Sequence, residues 1–175
     1  VPEIRKHVSN AFFVFAGPDR HSPGDWSSRT ELERYLEGQG VPGTQFSFLG
    51  LVPRTKLKAC YSEATVVAIP PLYEDYPYSV VETMACGSPI VASDCYGNPE
   101  IVKDGVTGLL GKTGDPIDLA DKIVYLLKHP NERSRLAEAS RNFIQKECSA
   151  EHIATLTAEV YREAIEEHRR RRTKV

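Results

Sequence analysis

Several features that mark common protein classes are scarce or missing in this sequence. Its formal net charge of −2 leaves no general surface for a polyanion, so nucleic acid is not an expected partner. No apolar run approaches the roughly 20 residues that a membrane-spanning helix needs, and no signal peptide is visible. The cysteines are isolated, without a Cys-x-x-Cys pair or metal-ligand spacing: Cys60, Cys86, Cys95 and Cys148. We therefore expect reduced thiols in a cytoplasmic protein and no metal site.

The chain has 175 residues, 41% of them hydrophobic, which is enough for one domain with a buried core. Short apolar runs alternate with helical patterns, and helical patterns alone follow from Asp115, which is placed to cap the first of them. The order predicts an α/β fold with a doubly wound parallel sheet and extra C-terminal helices. Predicted strands cover residues 11–16, 45–49, 65–69, 90–92 and 108–110. Predicted helices cover residues 2–8, 30–36, 56–64, 79–86, 99–102, 115–129, 131–146 and 150–169, and residues 20–28 are predicted as a surface loop.

The stretch from Thr65 to Ser88 is the centre of the functional interpretation. A buried strand ends at Pro70 and Pro71, a short loop follows, and a helix then begins with Pro77 in its first turn. Open α/β sheets bind anionic ligands at the carboxyl ends of their strands, where the free N–H groups of a following helix favour phosphate. This stretch therefore predicts an anion site at the start of the helix.

Glu74 lies in that loop, and Glu82 is the one charged residue on an otherwise apolar helix. A carboxylate in such surroundings must reach solvent, a cation or the hydroxyl groups of a ligand, because burying it without a partner is costly. A ribose diol suits it, since a carboxylate can accept from both hydroxyls. A glutamate at the edge of a helix that simply contacts water is the alternative, and spacing alone favours that alternative.

Residues 71–110 carry a family resemblance: PLYEDYPYSVVETMACGSPIVASDCYGNPEIVKDGVTGLL. Two glutamates separated by seven residues precede an A-x-G-x-P-I-V-A strand, a G-x-P-E turn and a D-G-x-T-G-L-L segment. This order resembles the signature of retaining GT-B glycosyltransferases, the "glycosyl transferases group 1" family, or family four. The resemblance extends over roughly residues 11–165. It implies the C-terminal, donor-binding domain of such an enzyme, with residues 1–175 forming one domain.

The resemblance assigns roles to individual residues. Glu82 would bind the donor ribose, and Glu74 would contact a hydroxyl of the donor sugar as the catalytic residue. Backbone N–H groups of Tyr78, Ser79 and Val80 would hold the diphosphate and sugar. Three further donor-binding positions are expected: Tyr76 walling the sugar pocket, Val52 making a main-chain contact to the base, and Gly17 at the end of the first strand.

The family further implies a UDP-, GDP- or ADP-linked sugar as donor, no cofactor and no metal. The transferred hexose could be mannose, glucose or an N-acetylhexosamine, moved with retention of configuration to a glycan or lipid. The acceptor site and the first strand–helix unit, with its diphosphate-neutralising arginine and lysine, are expected upstream of Val1. The isolated chain is therefore expected to be inactive. Arg20, Arg54 and Lys56 are available cations, but their spacing favours solvated surface positions.

Two departures from the family pattern concern single residues. Pro77 occupies a position that is often glycine, so one backbone donor is absent there. Tyr96 replaces the first glycine of the family's G-G-x-P-E turn, and its ring could line the pocket or pack on the surface.

Other function classes remain open. A hydrolase could use Glu74 and Glu82 as a carboxylate pair. A nucleotide-sugar epimerase of the same architecture and a non-catalytic nucleotide-binding module are the remaining candidates. The basic end HRRRRTKV, residues 168–175, indicates either a polybasic patch or a solvated helix end. The nearby glutamates favour the solvated end, and a peripheral contact with the inner membrane face stays open.

Overall fold

The computed structural model describes residues 1–19, 21–22 and 26–172. Its strands are β1 Phe13–Ala16, β2 His21–Ser22, β3 Trp26–Ser27, β4 Phe46–Gly50, β5 Val67–Ile69, β6 Ile90–Ser93 and β7 Leu109–Gly111. Its α-helices are α1 Pro2–His7, α2 Ser28–Gly38, α3 Arg54–Glu63, α4 Tyr78–Ala85, α5 Asn98–Ile101, α6 Pro116–Lys128, α7 Pro130–Glu147 and α8 Ala150–Arg172. A single 3-10 turn, Gly43–Gln45, precedes β4. Arg20, considered above as a cation, lies outside the described residues.

Parallel strands with helices between them confirm the predicted α/β class. The pairing nevertheless divides the main strands into two parallel groups, β1 with β4 and β5 with β6 and β7. Phe13 lies opposite Phe46 in the first group, and Val91 of β6 lies between Ala68 and Leu109 in the second. Among the described strands, β1 pairs only with β4 and β5 only with β6, so each has one open edge.

The two groups of strands share one hydrophobic core. Val91 of β6 packs in a cluster with Leu126 of α6 and Leu136 of α7, and Phe13 of β1 packs against the same cluster. A second cluster lies under α4, where Val80 and Met84 are fully buried. Both groups therefore pack on the same helices, although no pairing between the described strands joins them.

Local chemistry explains where the predicted boundaries shift. Helix α2 begins at Ser28 rather than Thr30 because the Ser27 hydroxyl accepts from the Thr30 N–H at 3.1 Å. Within the range predicted as a loop, residues 20–28, β2 pairs with β3 in antiparallel orientation. Asp115 caps α6 as predicted, accepting from the N–H groups of Ile117 and Asp118.

Helix α8 differs from the other long helices because none of its residues is buried. Its main contacts are with α7, and several large apolar side chains stay exposed: Ile153, Leu156, Val160, Tyr161 and Ile165. No helix in the described ranges is both long and apolar enough to cross a membrane.

Candidate functional site

The carboxyl end of β5 and the start of α4 carry most of the predicted site. Pro77 is buried at the N-cap position, where its missing N–H costs nothing because the first helical N–H groups have no partner within the helix. Glu74 is half-buried in the loop before it. Its carboxylate makes no hydrogen bond or ion pair within the described part of the chain. Its position therefore depends on the backbone of the loop.

Glu82 forms an ion pair with Arg54, which the sequence predicts at a solvated surface position. Its carboxylate lies 3.7 Å from the Arg54 guanidinium, and the two side chains are 37% and 89% exposed. The predicted requirement for solvent, a cation or a ligand is thus met by solvent and Arg54 together. Because Arg54 begins α3 directly after β4, this ion pair also joins the carboxyl end of the first strand group to α4. Burial raises the pKa of the neighbouring Tyr61, and the charge of Glu82 raises that pKa further.

The first turn of α4 offers one free backbone donor. The Tyr78 N–H donates to the Tyr76 carbonyl at 2.9 Å, and the Val80 N–H donates to the Pro77 carbonyl at 3.0 Å. In the described ranges the Ser79 N–H has no acceptor. Of the three N–H groups assigned to the diphosphate, Ser79 alone is therefore available without breaking an internal bond.

The turn from Ser93 to Asn98, which we call the supporting turn, packs against the loop that carries Glu74. The Ser93 hydroxyl donates to the Pro71 carbonyl at 2.5 Å, and the Gly97 N–H donates to the Glu74 carbonyl at 3.0 Å. The Asn98 amide holds the turn itself by donating to the Ser93 carbonyl at 2.8 Å. These bonds tie β6 to the loop after β5, so the Glu74 backbone is held from one side.

Gly97 is required for this close packing. A Cβ at that position would lie 2.1 Å from the carbonyl oxygen of Asp75, a distance that no side chain tolerates. Gly97 and Asp75 are distant in sequence, so local patterns do not predict this contact. The G-x-P-E motif is the sequence feature that points to Gly97.

Aromatic rings surround the loop. Tyr76 and Tyr78 meet edge to face with ring centroids 5.0 Å apart, and Tyr73 and Tyr96 lie with centroids 4.5 Å apart. The Tyr73 hydroxyl also donates to the Asp75 carboxylate at 2.5 Å, which raises the pKa of Tyr73. The ring of Tyr96 packs on Tyr73 at the surface, and Tyr96 is 68% exposed.

Gly17 and Val52 lie at the carboxyl end of the first strand group. The Gly17 N–H donates to the Gly50 carbonyl at 3.0 Å, which joins the ends of β1 and β4. Gly17 has a φ of 150°, and Val52 is half-buried before α3. Arg54, which follows Val52 by two residues, forms the ion pair with Glu82. Their roles toward a base or sugar stay predictions.

Two surface cavities lie away from these residues. One of about 440 Å³ is lined by α8 residues including Tyr161 and His168, and one of similar size is lined by residues around β4 including Arg29 and Phe46. Neither contains Glu74, Glu82 or the start of α4. In the described ranges no group of three or more His, Cys, Asp and Glu side chains could hold a metal ion.

Known proteins resemble this chain in both sequence and fold. D-inositol 3-phosphate glycosyltransferase of Nocardioides sp. is 36% identical over 174 residues, which are 96% of this chain and 36% of that protein. Alpha-maltose-1-phosphate synthase of Mycolicibacterium smegmatis is 36% identical over 118 residues, or 64% of this chain and 30% of that protein. The chain thus spans about a third of the length of these relatives.

Solved structures share the fold at lower identity. Sucrose-phosphate synthase of Thermosynechococcus elongatus gives a TM-score of 0.78 at 23% identity, covering 95% of this chain and 49% of that one. HepE of Anabaena, solved with UDP and glucose, gives 0.74 at 21% identity, covering 92% of this chain and 52% of that one. The sequence profile of the family "Glycosyl transferases group 1" matches residues 1–143. This chain belongs to the glycosyl transferases group 1 family.

Proposed function

We propose that this chain is the donor-binding domain of a retaining glycosyltransferase that transfers a hexose from a nucleotide sugar to a glycan or lipid. The supporting observation is the arrangement around α4. Glu74 on the preceding loop, the free Ser79 N–H and Glu82 on the helix all follow the carboxyl end of β5. The HepE structures contain UDP, UDP with glucose, or UDP-glucose, which makes UDP the first nucleotide to test.

The proposed roles follow from charge. Departure of a nucleoside diphosphate leaves an anion, and oriented dipoles at the helix start stabilise it without reorganising. Glu82 accepts from the ribose hydroxyls in place of its exposed contact to Arg54. Glu74, whose carboxylate has no hydrogen bond or ion pair among the described residues, accepts from a hydroxyl of the sugar and orients it. No metal or cofactor is part of this proposal.

The rest of the intact protein completes the site in this proposal. The open edges of β1 and β5 support an upstream strand–helix unit that pairs between them and brings the cations for the diphosphate. An N-terminal domain provides the binding site for the acceptor, so the isolated chain is inactive. We place the protein in the cytoplasm, with the basic end of α8 as a candidate for peripheral contact with the inner membrane face.

Calorimetry on the intact protein tests the donor site. It measures the binding of UDP-glucose, GDP-mannose and ADP-glucose and, for comparison, the binding of UDP, GDP and ADP. Glu82→Gln is expected to weaken binding of the nucleotide and of the nucleotide sugar by about tenfold, because a charge-assisted hydrogen bond to ribose is lost from both. Glu74→Gln is expected to weaken only the nucleotide sugar. Glu138→Gln, on the exposed face of α7, is the matched control.

Absence of binding to every one of these ligands would overturn the proposal. Release of reducing sugar from an oligosaccharide without any nucleotide would indicate a hydrolase instead. Interconversion of donor sugars without an acceptor would indicate an epimerase. Binding of a nucleotide sugar that yields no transfer product would indicate a non-catalytic module.

A further inference from the structure

Tyr96 adopts a backbone conformation that is unfavourable for its side chain. Its φ is 38°, and among the residues that the structure describes no other non-glycine residue has a positive φ. The left-handed region brings Cβ too close to the backbone, so a bulky residue persists there only when its surroundings hold it. The strain at Tyr96 therefore requires contacts that offset it.

Burial does not supply those contacts. The side chain of Tyr96 is 68% exposed and that of Tyr73 is 59% exposed, so little apolar surface is removed from water. The ring pair, with centroids 4.5 Å apart, is the contact that Tyr96 makes with the Glu74 loop. The next residue, Gly97, donates its N–H to the Glu74 carbonyl.

These contacts flank Glu74 on both sides. Tyr73 precedes it and is held by the Tyr96 ring, while Asp75 follows it and is held by the Tyr73 hydroxyl. The Glu74 carboxylate itself has no hydrogen bond or ion pair in the described part of the chain. No polar partner in the described ranges holds the carboxylate, so the backbone position of Glu74 sets the region that its side chain can reach.

We propose that Tyr96 is a positioning residue for Glu74, and that its strained backbone and the tilted packing of its ring on Tyr73 hold the Glu74 segment where its carboxylate reaches the donor sugar. The inference rests on the proposed function, because it requires Glu74 to contact that sugar. It predicts that Tyr96 affects recognition of the sugar and leaves recognition of the nucleotide unchanged.

The test compares variants of the intact protein by calorimetry and urea unfolding. The ligands are the nucleotide sugar that wild type binds most tightly, among UDP-glucose, GDP-mannose and ADP-glucose, and its nucleoside diphosphate. Tyr96→Gly removes the ring and relieves the strain, so the unfolding midpoint is expected not to fall. The dissociation constant for the nucleotide sugar is expected to rise about tenfold, the loss of one charge-assisted hydrogen bond, while that for the nucleoside diphosphate stays unchanged.

Two further variants check the route of the effect. Tyr96→Phe keeps the ring and is expected to bind like wild type. Tyr73→Ala removes the ring on which Tyr96 packs and is expected to lose at least as much affinity for the nucleotide sugar as Tyr96→Gly. Tyr73→Ala also removes the hydroxyl bond to Asp75, so the double variant is expected to lose no more than Tyr73→Ala alone.

Each contrary outcome has a separate meaning. Wild type that binds none of the ligands would overturn the proposed function together with this inference. A different result would overturn the inference alone: wild type binds the nucleotide sugar more tightly than the nucleoside diphosphate, and Tyr96→Gly binds the nucleotide sugar as tightly as wild type does. Equal weakening of both ligands with a lower unfolding midpoint would show that Tyr96 has a purely structural role, and would also overturn it.

Discussion

Gly97 allows the supporting turn to pack closely on the loop that carries Glu74, because glycine has no Cβ. The carbonyl oxygen of Asp75 would lie 2.1 Å from a Cβ at this position, and that of Glu74 would lie 3.3 Å from it. Both atoms belong to backbone, which cannot turn aside as a flexible side chain would. The supporting turn and the Glu74 loop must therefore separate if any side chain is added.

Gly97→Ala is expected to lower the free energy of unfolding by about 2 kcal/mol, in the range of overpacking at a tight contact. Urea unfolding followed by circular dichroism measures the change. Gly43→Ala is the matched control, because a Cβ there meets nothing within 4 Å. Equal stabilities of the two variants would contradict the close packing described here.

The carboxyl group of Asp118 has a pKa below its usual range. The main cause is the Lys112 N–H, which donates to it at 2.7 Å, and the Lys122 ammonium donates to it at 3.1 Å. A group with a lowered folded-state pKa contributes stability above its unfolded pKa of about 3.9 and loses that contribution as the pH falls through the folded value. Protonation of Asp118 at low pH therefore lowers the free energy of unfolding.

Asp118→Asn is expected to make stability depend less on pH below about pH 4, because one proton-binding group is removed. Urea unfolding at several pH values between about 2 and 5 measures this dependence. Lys122→Met provides the control, since the Lys112 N–H remains and should keep the Asp118 pKa low in an NMR titration. A normal Asp118 pKa in Lys122→Met would show that the ammonium dominates instead.

At the scale of the element, α6 is defined by its first turn. Asp115 accepts from the N–H groups of Ile117 and Asp118, each at 3.1 Å, and Pro116 occupies the first helical position. The helix then places Leu126 in the main core cluster. A weak cap would therefore affect packing on the sheet as well as the helix end.

Asp115→Ala is expected to lower the free energy of unfolding by about 1 kcal/mol, the usual effect of losing an N-cap. Asp115→Asn, which keeps an acceptor oxygen, should lose only a fraction of that. Thermal or urea unfolding of the two variants measures the difference. Identical losses would mean that charge near the helix dipole, and not the hydrogen bonds, is the main contribution of Asp115.

The sequence predicts local elements well because their determinants are local. The Asp115 cap, the β-branched run before Pro70 and the helix carrying Glu82 were all visible as patterns, and the structure confirms each. The pairing of Tyr73 with Tyr96 could not be predicted, because it depends on how two distant segments meet. The internal bonds of Tyr78 and Val80 were missed because N–H availability depends on the turn geometry at Pro77.

At the scale of the whole molecule, stability is distributed unevenly. The clusters around Val91 and Met84 hold both strand groups and helices α6 and α7. Helix α8 extends from this body without a buried residue. Its amides therefore depend on local helix stability, whereas those of the core helices depend on global unfolding.

Native-state hydrogen exchange on this chain is expected to show α8 exchanging much faster than α6 or α7. The physical reason is that opening α8 exposes little apolar surface. Mass spectrometry of peptic fragments gives the rates, with fragments from 130–147 as the internal reference. Equal protection of α8 and α7 would mean that something covers the exposed apolar side chains of α8 in solution.

The unpaired side of β1 has a further consequence for handling this chain. The strand belongs to an apolar hexapeptide, AFFVFA, in which Phe12 and Val14 are 59% and 51% exposed. Unsatisfied main-chain donors and acceptors beside such side chains form a template onto which another copy can add a strand. We therefore expect concentrated preparations of the chain alone to aggregate through intermolecular β-structure, and a charge introduced at residues 12–14 to reduce that aggregation.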